Sequence, residues 1–107
     1  MPVSEFKTAV ICGTETKLYY INKLAERLQR TTTSIRIWER KGIIPETRFR
    51  DKYGNRLYTE EQIEAIAKSA EENKIVQGKS IADTNFSVDC HRYFEILDAK
   101  YGGKNNG

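Results

Sequence analysis

Cysteine and histidine are nearly absent from this chain of 107 residues, which has Cys12, Cys90 and a single His, His91. Two thiols so far apart exclude a disulfide-stapled scaffold, and no pair among the three has a zinc-site spacing such as CxxC or HxxxH. Neither a metal nor a cofactor is expected, and both thiols read as small buried hydrophobes or idle groups of a reducing compartment. Long apolar runs are missing too. The longest has four residues, against about 20 for a bilayer span, so no membrane association is expected. The opening MPVSEFKTAVIC lacks a basic stretch leading into an apolar core, so secretion is not expected either. With one His, no nucleophile signature and no glycine-rich phosphate loop, the chain does not read as an enzyme, and no catalytic residue is assigned.

What is present fits one small domain with short extensions. The charged fraction is 31% and the aromatic fraction 10%, with regularly spaced Ile and Leu, which argues against a wholly disordered chain. The net charge of +3 conceals an asymmetry. Asn22 to Tyr58 holds ten basic residues against four acidic ones, a net +6, which leaves −3 on the remainder. Seven of the ten are Arg, the side chain suited to forked contacts with phosphates and guanine edges. Scattered lysines on a solvated surface would not produce this segregation.

Periodicity divides the chain. Ala9–Cys12 and Lys17–Ile21, around Gly13-Thr14-Glu15, predict a β hairpin. Ile21, Leu24, Ala25 and Leu28 then form a helical stripe, with Asn22 as N-cap candidate and an end near Arg30. Thr31 is the expected N-cap of a second helix to about Lys41, with Ile35 and Trp38 inward, Gly42 at C′ and Pro45 preventing a restart. Two helices joined by a tight polar turn make a helix-turn-helix. Glu46 to Tyr58 predicts a second hairpin around Asp51-Lys52-Tyr53-Gly54-Asn55, with Gly54 and Asn55 at positive φ. Thr59-Glu60-Glu61-Gln62 is a capping box that opens a third helix to about Asn73, with Tyr58 and Ile63 placed as a staple. Glu60, Glu61 and Glu64 suit the first turns of that helix rather than catalysis. A fourth helix is expected over Ser87–Lys100. The expected divisions are 1–19, an N-terminal hairpin; 20–74, the helix-turn-helix with the second hairpin and third helix; 75–101, linker and amphipathic helix; and 102–107, an unstructured tail.

The runs Tyr20-Ile21-Asn22-Lys23-Leu24-Ala25, Ser34-Ile35-Arg36-Ile37-Trp38-Glu39-Arg40-Lys41-Gly42-Ile43-Ile44-Pro45 and Gly54-Asn55-Arg56-Leu57-Tyr58-Thr59 resemble a known family. They are similar, in order and spacing, to the winged-helix DNA-binding domain of mercury-resistance-type (MerR) regulators. Phage excisionases and small packaging subunits look similar over the same elements. The resemblance implies a mainly α fold with a small antiparallel β hairpin, a winged helix-turn-helix, and double-stranded DNA as partner. It puts Arg36 on the recognition helix, with Thr32 and Thr33 in the exposed first turn. Arg can donate twice to a guanine edge, and Thr offers a hydroxyl and a methyl. Arg40 and Lys41 continue the basic face. Arg48, Arg50, Lys52 and Arg56 on the wing suit phosphate or minor-groove contacts, and Arg56 has a structural alternative in pairing with Glu60 or Glu61. Trp38 reads either as a core aromatic or, by its family position, as a backbone contact through its indole N–H.

About 30 residues follow the third helix, without sustained heptads or the family's metal-sensing cysteine pair, so no effector domain is expected. The stripe Phe86, Cys90, Phe94, Leu97 and Tyr101 is either a homodimer seam or a helix folded on its own domain. The function expected is sequence-specific duplex binding by a small transcriptional regulator or excision factor, in the cytoplasm with the nucleoid. The alternative is an adaptor of a phage assembly or packaging machine, which would turn Trp38 or the Phe86 stripe outward.

Overall fold

A computed structural model describes residues 6–75, 81 and 84–102. The order is β1 (Phe6–Ile11), β2 (Thr14–Tyr20), α1 (Ile21–Leu28), α2 (Thr32–Arg40), β3 (Phe49–Arg50), β4 (Arg56–Thr59), α3 (Glu60–Glu72) and α4 (Phe86–Lys100). The mainly α, winged helix-turn-helix class holds, with one refinement. The two hairpins, expected as separate units, are fused through an antiparallel β2–β4 pairing into one four-stranded sheet of order β1-β2-β4-β3. Tyr19 lies opposite Tyr58 and Tyr20 opposite Leu57. Pattern alone cannot see such a pairing, because it joins strands nearly 40 residues apart.

The β1–β2 turn is tighter than expected. Cys12 (φ 52°) and Gly13 (φ 79°) both take left-handed backbone, as a two-residue hairpin turn requires. The strand runs straight into α1, whose N-cap is Tyr20 and not Asn22. Pairing of Tyr20 with Leu57 holds that residue extended, so the helix begins one residue later and Asn22 falls inside its first turn. α2 is capped as its sequence predicts: the Thr31 side chain accepts from the Ser34 amide at 3.1 Å. Gly42, at φ 77°, ends it by turning the chain away in a conformation that disfavours a Cβ. α3 opens with the reciprocal capping box of Thr59 and Gln62.

The core unites Leu24 and Ala25 of α1, Ile35 and Trp38 of α2, Ile44, Tyr58 of β4, Ile63 and Ile66 of α3, and Phe86, Cys90 and Phe94 of α4. Of the two readings of the α4 stripe, the chain takes the helix folded on its own domain. Phe86, Cys90 and Phe94 are buried within the chain, and Leu97 and Tyr101 are half-buried. Tyr101 stacks edge-on against Phe49 at 5.6 Å and shares a 2.5 Å hydrogen bond with Thr59, tying the end of α4 to the sheet. Burial raises the Cys90 thiol to about 12 and leaves it un-ionised at neutral pH. The expected linker around Gly78 and the tail over 103–107 lie outside the described residues. No described helix is long and apolar enough to cross a membrane.

Candidate nucleic-acid interface

With Ile35 and Trp38 buried, α2 has one face left for solvent. Thr33, Arg36 and Arg40 occupy it, with Lys41 just beyond. Arg36 donates from Nη1 to the Thr32 hydroxyl at 3.3 Å, which steers the guanidinium toward the first turn. The amides of that turn add positive potential, so a guanidinium fork, a hydroxyl and an anion-accepting helix end coincide.

Of its two readings, Trp38 takes the core aromatic. Only 8% exposed, it packs edge-on against Phe86 at 5.4 Å, with the Arg30 guanidinium 5.5 Å from its ring.

The wing is built around one carboxylate. Asp51 accepts from the amides of Tyr53 and Asn55, each at 2.9 Å, and from the Asn55 side chain at 3.0 Å. The Asn55 hydrogen bonds hold the Asp51 carboxyl below its ordinary range. Asn55 itself stays out of the left-handed region, which Gly54 alone occupies in this loop. The loop thereby presents Lys52 and a 75% exposed Tyr53, with the ammonium 5.2 Å from the ring. Tyr53 was not singled out from sequence, since nothing in the pattern separates an exposed loop Tyr from a packed one.

The wing arginines are less available than the sequence implied. Arg48 donates to the Asp98 carbonyl at 3.3 Å and lies 3.7 Å from its carboxylate. Arg50 donates to the Gly54 carbonyl at 2.9 Å and pairs with Glu46 at 3.3 Å. Arg56 pairs with Glu39 of α2, not with Glu60 or Glu61, while Glu61 pairs with Lys100. Glu39, its side chain only 5% exposed, also lies 4.0 Å from Arg50. This acid, counted in the sequence only as a charge, fixes the wing against α2. Its position four residues after Ile35, on the edge of the buried stripe, was the available signal.

Glu39→Gln is expected to lower stability by about 2–3 kcal/mol, because it leaves Arg56 partly buried without its counter-charge. Urea unfolding followed by circular dichroism measures the loss; a change below about 0.5 kcal/mol, the ordinary surface range, would remove the lock.

Of the ten basic residues from Asn22 to Tyr58, Arg27, Arg48, Arg50 and Arg56 make ion pairs. Lys23, Arg30, Arg36, Arg40, Lys41 and Lys52 make none among the described residues. No described group of three or more His, Cys, Asp or Glu is arranged to hold a metal ion.

Residues 19–69 match the family described as MerR HTH family regulatory protein. No curated protein and no solved structure matches the chain.

Proposed function

Residues 19–69 are a MerR-type helix-turn-helix DNA-binding domain, and from that premise we propose sequence-specific duplex binding with α2 in the major groove and the wing on the flanking backbone. The carrying observation is the outward face of α2, where Thr33, Arg36 and Arg40 sit together opposite the buried Ile35 and Trp38. Such a face meets base edges with a fork and a hydroxyl, and meets the backbone with charge. The biological role is control of transcription or of recombination and excision. Docking through Trp38 or the Phe86 stripe, which the adaptor reading requires, is disfavoured by the burial of both.

Selection of bound duplexes from a random pool tests the reading, and an enriched motif is expected. Arg36→Ala should then weaken the selected site by about 1–3 kcal/mol and relax preference at one base pair. A scrambled duplex should lose much less affinity. Equal losses on both duplexes would mean that α2 is not the reader.

A further inference from the structure

We propose that the outer edge of β1 pairs with β1 of a second copy of this chain, antiparallel and centred on Thr8. The result is a two-fold dimer that offers two α2 helices to one duplex. The dimer stands on the strand itself; its use on DNA rests on the reading in the preceding subsection.

β1 is an edge of the sheet and pairs only with β2 among the described elements. Its six residues run in unbroken register from Phe6↔Tyr19 to Ile11↔Thr14. Of the usual guards of an edge only Lys7, on the opposite face from Phe6, Thr8 and Val10, is present: the strand has no proline and no bulge. Side chains alternate along it, so Phe6, Thr8 and Val10 share one face. Phe6 is 38% and Val10 73% exposed, the two exposed large hydrophobics of the hairpin.

These residues complement themselves. With Thr8 opposite Thr8 on the two-fold axis, Phe6 of each copy lies opposite Val10 of the other, and Lys7 lies opposite Ala9. Aromatic–β-branched and Thr–Thr pairs are among the favourable cross-strand neighbours, and no like charges face each other. A one-residue slip would lose both pairings and turn the copies to opposite faces.

The same register decides where the helices go. Phe6 is across from Tyr19, and Tyr19 across from Tyr58, so this face continues to Arg56, two residues along β4. Arg56 holds Glu39 of α2, so α2 sits over this face, and the two-fold axis brings both α2 helices to the same side of the joined sheet. At about 4.8 Å per strand, β4 and β3 lie roughly 12 and 17 Å from the axis. Arg56 and Arg50 also lie four residues along the strands from the level of Thr8, about 13 Å in opposite directions in the two copies. The Glu39 ends of the two α2 helices are thus about 35–43 Å apart, close to one turn of duplex at the shorter limit. One strand pair buries less than the roughly 1,200–2,000 Å² of a stable complex, so the free dimer is weak and tightens when both copies bind one duplex.

Sedimentation equilibrium of the full chain tests the pairing through Thr8→Lys and Thr8→Glu. The unaltered chain should show a concentration-dependent dimer by about 1 mM. Each variant alone should be monomeric, because like charges then meet on the axis, and an equal mixture should recover the dimer. Thr8→Glu faces Lys17 within the hairpin, so its melting should match the parent. Duplexes selected from a random pool should be inverted repeats with centres about 10 base pairs apart. Thr8→Glu should bind one half-site as the parent does and lose at least tenfold on the pair. An unaltered chain that stays monomeric at about 1 mM and binds half-sites independently would overturn the dimer while leaving DNA reading intact. A mixture that fails to recover association would also overturn it. Recovered association with no duplex enriched would keep the dimer and remove the DNA reading.

Discussion

Trp38→Ala is expected to cost about 3–5 kcal/mol of folding stability. Trp38 lies where α2, α4 and the Arg30 side chain meet, edge-on to a fully buried Phe86. Truncation opens a cavity between two helices whose other contacts hold it open, so transfer and cavity terms add. Against the roughly 5–15 kcal/mol of a small domain this is a large share, and part of the population should unfold at 37 °C. Trp38→Phe keeps a ring against Phe86 and should lose less than half as much. Urea titration followed by circular dichroism is the measurement, because Trp38 is the only Trp and its replacement removes the fluorescence signal. DNA affinity, corrected for the folded fraction, should be unchanged in both variants. A Phe variant that stays stable but loses duplex binding would return the indole N–H to the interface.

Duplex affinity is expected to fall about a thousandfold between 50 and 200 mM salt. Six basic residues in the Asn22–Tyr58 segment make no ion pair among the described residues. If each replaces one condensed counterion, log K falls with log salt at a slope near −5. The ion pairs make the slope shallower than all ten basic residues of the segment would give. Were Arg48, Arg50 and Arg56 also to leave their carboxylates for phosphates, the slope would approach −8. A filter-binding or anisotropy series at four or five salt concentrations separates the cases. A shallow slope with measurable affinity would remove the phosphate role of the basic segment, and a slope near −8 would mean that the Glu39 lock opens on DNA.

The local signals in this chain were strong because they depend on neighbours in sequence. Thr31 and Thr59 as caps, the Thr59/Gln62 box, Gly42 at the end of α2 and the inward pair Ile35 and Trp38 all follow from spacing and from the backbone preferences of single residues. The same periodicity assigned Arg36 to the outside of α2, since a residue next to a buried stripe and off its spacing must face away. Decisions taken across long sequence separations were different. The β2–β4 pairing fused two hairpins and moved the start of α1, the packing of α4 used up the proposed dimer seam, and Glu39 rather than Glu60 or Glu61 received Arg56. Each joins groups that only the folded chain brings together. A one-dimensional pattern records which side of its own helix or strand a residue occupies, but carries no term for what another element places opposite. Composition and local spacing therefore determined that this is a basic, Arg-rich helix-turn-helix. Tertiary packing decided which arginines remain without a carboxylate partner among the described residues, which aromatic left the surface, and which strand edge stayed open among the described elements.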